Sequence, residues 1–293
     1  MAERPHRCGS VAILGRANAG KSTLLNRLVG EKLAIVTRKP QTTRSRILGI
    51  VAREDAQVLL YDTPGLHEGT RPLNRALLET VYEVAADCDV ALLLVDPAEG
   101  FGPDHAALLA RLAARKKPVL VVATKQDLPA AAAARLPALD PGAVRVLRVS
   151  AETGQGIPEL LDALVALLPE GPSLYPEDDL TDRPERFLVA EEVREAAFEA
   201  LSQELPYEIA VEIEDFDESR PDLVKIRAKL LVVRESQKRI VVGTGGEMVK
   251  RIGIQARLAI ERRLGKHVHL ELWMKVEPDW SQRPNRLKSL GYW

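Results

Sequence analysis

"GRANAGKS", residues 15–22, carries the pattern Gly-x-x-x-x-Gly-Lys-Ser. The apolar run "VAILG" precedes it, and "KSTLLNRLVG" continues it with helical spacing, so the loop joins a strand to a helix. Glycines let backbone N–H groups turn inward around phosphate oxygens, and the start of a helix adds positive potential. Gly15, Arg16, Ala17, Asn18, Ala19, Gly20, Lys21, Ser22 and Thr23 therefore form the expected phosphate cradle. Lys21 brings a point charge to the β and γ phosphates of a nucleoside triphosphate, and the Ser22 hydroxyl is a ligand for Mg²⁺.

Working outward, residues 11–168 alternate short apolar runs ("AQVLLYD", "VALLLVD", "PVLVVATK", "AVRVLRVS") with helical segments such as "DHAALLARLAARK" and "IPELLDALVALL". Fully apolar strands alternating with helices imply a mostly parallel sheet covered on both faces. Three further motifs sit at strand ends. In "DTPG", Asp62 is placed to hold Mg²⁺ through water, and the Gly65 N–H to reach a γ-phosphate. In "TKQD", the Asp127 carboxylate accepts from both N1–H and the exocyclic amine of guanine, a pair adenine lacks. The Lys125 stem covers the base, and Thr124 stands at the strand end. In "SAETG", Ser150 starts the motif and Ala151 offers its N–H to the guanine oxygen. The polar stretch "TRKPQTTRSR" has no periodicity and reads as a loop that orders with GTP. Thr43 is the first choice for completing Mg²⁺ and sensing the γ-phosphate, Thr42 the second. Lys21, Thr43 and Gly65 are thus the switch and catalytic candidates.

The 293 residues favour two domains. Residues 1–170 form the nucleotide domain, and Pro-rich, acidic 171–186 a linker. Residues 187–293 are a smaller α+β unit with mostly antiparallel pairing expected. There "YEIAVEIEDF" and "LVKIRAKLLVVRE" read as strands, "KRIVVG" as the start of the next element, and "HVHLELWMKVE" as the last strand. Cys8 and Cys88 lie far apart without ligand spacing and are expected as free thiols. The start, "MAERPHRCGS", has no apolar signal core, so a cytoplasmic location is expected.

A second glycine loop, "GTGG" at 243–246, fits the Gly-x-x-Gly of RNA-gripping loops and precedes a basic helix, "EMVKRIGIQARLAIERR". It lacks the Lys-Ser of a nucleotide loop. Gly243, Thr244, Gly245 and Gly246 leave backbone bare for a sugar–phosphate chain, and Lys250 and Arg251 follow as phosphate contacts. Net charge is only −1, but it is unevenly spread. Residues 185–222 hold 3 Lys/Arg against 13 Asp/Glu, whereas 225–288 hold 16 against 6. The basic half fits an RNA-facing side.

GRANAGKS, QTTR, DTPG, TKQD and SAETG together resemble the translation-factor-like GTPases. With "PQTTRSRILGI", "YPEDDLTDR" and "HLELWMKV", the whole chain looks like the Era family, ribosome-assembly GTPases with a KH domain. The resemblance implies GTP and GDP as ligands and Mg²⁺ as cofactor. It also implies single-stranded ribosomal RNA near the 3′ end of 16S rRNA, and the small ribosomal subunit, as partners. It allows K⁺ held with the help of Asn18 and weak peripheral contact with the inner face of the cell membrane; a monomer is expected. Two departures stand out. Thr124 replaces the family's usual Asn, and a hydroxyl cannot copy an amide's donor–acceptor pair, so weaker affinity is expected. Leu66 stands where some GTPases orient water with Gln, so slow hydrolysis is expected. The rival reading is a GTP-regulated RNA-binding scaffold with negligible turnover.

Overall fold

The computed structural model describes residues 5–37, 39, 43, 46–65, 81–129, 131, 145–201 and 205–291. The chain divides into two compact units, one of Met1–Ala34 and Pro40–Asp182, the other of Ile35–Lys39 and Arg183–Trp293.

The first unit holds β1 (Arg7–Gly15), α1 (Lys21–Val29), β2 (Ile47–Arg53), β3 (Ala56–Asp62), β4 (Val90–Val95), α2 (Pro103–Ala114), β5 (Val119–Ala123), β6 (Arg145–Arg148) and α3 (Ile157–Leu167). Residues 81–87 are also helical. The six strands run in the order β2-β3-β1-β4-β5-β6, parallel except for β2 against β3. Every residue of β4, "VALLLV", is buried, as a central strand covered on both faces requires. Register positions the functional loops. Ile13 pairs with Asp62, Gly15 with Leu94, Val95 with Ala123, and Ala123 with Arg148. The phosphate loop, DTPG, TKQD and SAETG therefore all leave the sheet at the carboxyl ends of its parallel strands, where such sheets bind ligands.

Of the expected linker 171–186, residues 171–182 lie along this sheet. The Gln57 side chain accepts the N–H groups of Leu174 and Tyr175 and donates to the Tyr175 carbonyl. Ile50 N–H on edge strand β2 donates to Leu180 O at 2.8 Å, and Tyr175 packs beside Leu48, Ile50 and Leu59. The segment has no periodicity of its own because β2 and Gln57 supply its partners.

In the second unit, α4 (Glu185–Ala200), β7 (Ala210–Asp217), β8 (Leu223–Val232), α5 (Glu235–Val242), α6 (Glu247–Leu264), β9 (His267–Val276) and α7 (Pro284–Ser289) follow. Sheet order is β7-β8-β9. β7 pairs with β8 antiparallel, but β8 pairs with β9 parallel, so antiparallel pairing does not dominate as expected. The reason is the helical crossover α5–α6, which returns the chain to the end where β8 began. "RIVV", β-branched as it is, lies in helix α5, where Val241 is fully buried. Val193, Ala197, Ile226, Leu230, Ile252, Ala256 and Ile260 form the core. Residues 35–39 join this unit: Val36 N–H donates to Glu195 Oε1 at 3.1 Å, and the Lys39 ammonium to the carbonyls of Phe198 and Leu201 at the end of α4.

Candidate functional site

Gly20 takes a left-handed conformation (φ 90°) and starts α1 without a side-chain cap, leaving the first N–H groups of the helix to face a ligand. Lys21 is buried, and its ammonium donates to the carbonyls of Gly15 at 3.1 Å and Arg16 at 2.7 Å. Burial lowers its pKa to about 8, with Asp62 pulling the other way. Gly65 packs against the loop so closely that a Cβ there would lie 2.7 Å from Ala17 N. Thr23 is half-buried on α1, and Asn18 is exposed with φ 60°.

Three oxygen-bearing side chains meet beside Lys21. Ser22 Oγ donates to Asp62 Oδ2 at 2.7 Å and lies 2.9 Å from Thr43 Oγ1, which donates to Asp62 Oδ2 at 3.2 Å. Asp62 is fully buried, and burial raises its pKa against the pull of Lys21. Its Oδ1 is buried without a hydrogen-bond partner among the described residues. A hard, oxygen-only donor set around an under-satisfied carboxylate fits Mg²⁺. Thr43 stands in this cluster; Thr42 lies outside the described residues, as does Leu66.

The TKQD and SAETG motifs meet at the ends of neighbouring strands β5 and β6. Ser150 Oγ donates to Asp127 Oδ1 at 2.6 Å, and Asp127 is exposed. Lys125, at φ 54°, pairs with Asp96 Oδ2 at 2.7 Å. Arg27 donates to the Ala151 and Glu152 carbonyls, fixing the SAETG turn. Thr124 Oγ1 donates to Ala19 O at 2.9 Å. Sequence reasoning missed Asp96 and Asp104. The acid ending "VALLLVD" was a signal for the first; a lone acid in a helix start gave none for the second.

In the second unit Gly243, Gly245 and Gly246 have φ of 73°, 60° and 82°, conformations costly for side-chain-bearing residues. A Cβ on Gly245 or Gly246 would meet nothing within 4 Å, so the loop is open as well as turned. Thr244 and Lys250 are exposed, and Gly246 starts α6 with no side-chain cap. The Arg251 guanidinium donates to Ala200 O at 2.8 Å. Ile240, 59% exposed on α5, adds an apolar surface before the loop.

The family model described as "50S ribosome-binding GTPase" matches residues 10–125, and "KH domain" matches 204–281. "GTPase Era" of Nitratidesulfovibrio vulgaris (strain DP4) is 44% identical over 99% of this chain and 98% of its own length. The belonging is decided by that identity over nearly both full lengths. The chain belongs to the GTPase Era family. "GTPase Era" of Streptomyces coelicolor is likewise 44% identical, over 99% of this chain and 96% of its own. Two Era crystal structures superpose over 98% of this chain and 99% of theirs. An Aquifex aeolicus Era variant bound to GDP.AlF4⁻ has TM-score 0.89 and 37% identity. Era in complex with MgGDPNP and nucleotides 1506–1542 of 16S ribosomal RNA has TM-score 0.90 and 38% identity. The Era fold thus covers both glycine loops. Among the described residues no helix is long and apolar enough to cross a membrane.

Proposed function

We infer that this chain is a GTP-hydrolysing switch that grips single-stranded ribosomal RNA near the 3′ end of the 16S molecule and assists small-subunit assembly. One observation supports this most: the Ser22, Thr43 and Asp62 oxygens meet beside Lys21 in one unit, while a bare GTGG turn opens a basic helix in the other. An Era relative holding both MgGDPNP and 16S rRNA supports the same pairing of ligands.

In this reading the N–H groups from Arg16 to Thr23 cradle the phosphates, and Lys21 neutralises the β and γ oxygens. Ser22, Thr43 and, through water, Asp62 would hold Mg²⁺, which would supply charge to the transferring phosphoryl group. Gly65 N–H marks the γ-phosphate. Asp127 selects guanine, positioned by Ser150, while Lys125 and the Ala151 N–H complete the base site. Exposed Asn18 offers an amide oxygen for K⁺, and turnover is expected to be faster in K⁺ than in Na⁺. Equal rates in the two salts would remove Asn18 from the mechanism. The basic stretch 225–288 also supports weak contact with anionic lipid, which vesicle sedimentation checks. A cytoplasmic monomer is the expected form, checked by light scattering.

The experiment is RNA binding and GTP turnover in Thr244→Asp/Gly245→Asp. Two carboxylates on the bare loop oppose a polyanion, so affinity for a short 3′-end RNA should be lost and intrinsic hydrolysis kept. In the parent, affinity should fall steeply with salt as Lys250 and its basic neighbours displace counterions. Unchanged affinity in the double variant would make the loop a mere turn. RNA binding without measurable turnover would favour the scaffold reading.

A further inference from the structure

Arg16 stands inside the phosphate loop, but its guanidinium is engaged outside it. Nε donates to Asp104 Oδ2 at 2.8 Å and Nη2 to Asp104 Oδ1 at 2.5 Å, a two-pronged fork in which each charge cancels the other. Asp104 lies in the first turn of α2. A notch at the start of that helix receives the fork. A Cβ on Gly102 would lie 1.9 Å from Arg16 Nη2 and 2.9 Å from Asp104 Oδ1. The backbone of Gly102, at φ −105°, is open to any residue, so a Cβ there would displace the end of the Arg16 side chain and not strain the turn. His105 holds the notch in shape: it is 1% exposed, its Nδ1 accepts the Gly102 N–H at 3.1 Å, and its ring stacks on Phe101 at 5.3 Å. At its other end, the same Arg16 residue offers its carbonyl to the Lys21 ammonium at 2.7 Å and to Ala19 N–H at 3.3 Å.

We propose that Arg16 and Asp104 are positioning residues for the nucleotide: the pair ties the peptide that seats Lys21 to the start of α2 and holds the loop ready for phosphates. The proposal rests on residues 15–22 being the triphosphate site. It excludes the other role open to an arginine here, a free cation that meets the γ-phosphate as charge develops. A paired guanidinium in a fitted notch contributes placement, because Asp104 cancels its field.

The two roles predict opposite signs. Fluorescent GDP and GTP affinities, with turnover at saturating GTP, are measured for Asp104→Asn, Gly102→Ala, Arg16→Lys and, as control, Lys21→Ala. A strut predicts that Asp104→Asn weakens both nucleotides about five- to tenfold while kcat at saturation is kept. Gly102→Ala, which displaces the fork without changing any charge, should weaken them similarly. Arg16→Lys should do so too, since an ammonium cannot reproduce the fork. A free cation predicts that Asp104→Asn tightens binding or leaves it unchanged, and that Arg16→Lys stays near the parent. Either result overturns the proposal. Both partners are about 30% exposed, so these changes leave no buried cavity. Normal binding by Lys21→Ala would sink the site reading itself, whereas weak Lys21→Ala beside normal Asp104→Asn sinks the strut alone.

Discussion

The Thr124 hydroxyl donates to the Ala19 carbonyl at 2.9 Å, joining the end of β5 to the phosphate loop across 105 residues of sequence. Both residues are buried, at 4% and 1% exposure, so the bond has no water to replace it. Its single proton is shared with Val95 O at 3.3 Å. Thr124→Val keeps the shape and strands the Ala19 carbonyl. The expected loss is about 1–2 kcal/mol, or roughly tenfold in GDP affinity. Thr124→Asn brings a donor and an acceptor to the same place and should tighten binding. Titration with a fluorescent GDP analogue checks both, and an unaffected Val variant would remove this tie from the site.

Nucleotide choice should rest on Asp127. Ser150 occupies one carboxylate oxygen at 2.6 Å, and the rest of the group is exposed to a ligand. Asp127→Asn puts a donor where guanine also donates, so preference should move to xanthosine nucleotides. Competition between GTP, XTP and ATP reads this directly. Equal affinity of the parent for GTP and ATP would defeat it.

Lys21→Ala should abolish most triphosphate affinity and spare RNA binding, since the GTGG loop belongs to the other unit. Titrations of the variant with a fluorescent GTP analogue and with a short RNA are the check; normal GTP affinity would contradict it.

Acid should loosen the second unit through Glu212. Its carboxylate is held at about 2, first by hydrogen bonds from Arg286, then by Lys229, with burial opposing both. A depressed carboxylate contributes stability above its unfolded pKa and loses it as pH falls from about 4.5 to about 2. Glu212 is 30% exposed, so the contribution is discounted to the order of 1–2 kcal/mol. Arg286→Met should lower neutral-pH stability by that amount and flatten the acid transition, read by urea titration at pH 7 and pH 3. An equal loss at both values would rule out the ion pair as the cause.

The amino-acid order by itself determined the first unit's class and named the residues of its candidate site. In the proposed reading, phosphate and guanine recognition use contiguous residues at strand ends, and GRANAGKS, DTPG, TKQD and SAETG would each carry their chemistry within a few positions. Buried parallel strands announce themselves as unbroken apolar runs such as "VALLLV". The GTGG loop and the basic stretch after it were legible for the same reason. Tertiary structure decided what depends on distant partners. β9 is parallel because a helical crossover, and not a hairpin, precedes it. "RIVV" is helical because Val241 packs in a core that overrides β propensity. Residues 171–182 are ordered by β2 and Gln57, and residues 35–39 belong with α4, although nothing in their own composition says so. Arg16 meets Asp104 across 88 residues. Local patterns encode local geometry, whereas the choice among distant partners is made only when the sheet and helices bring them within hydrogen-bond reach.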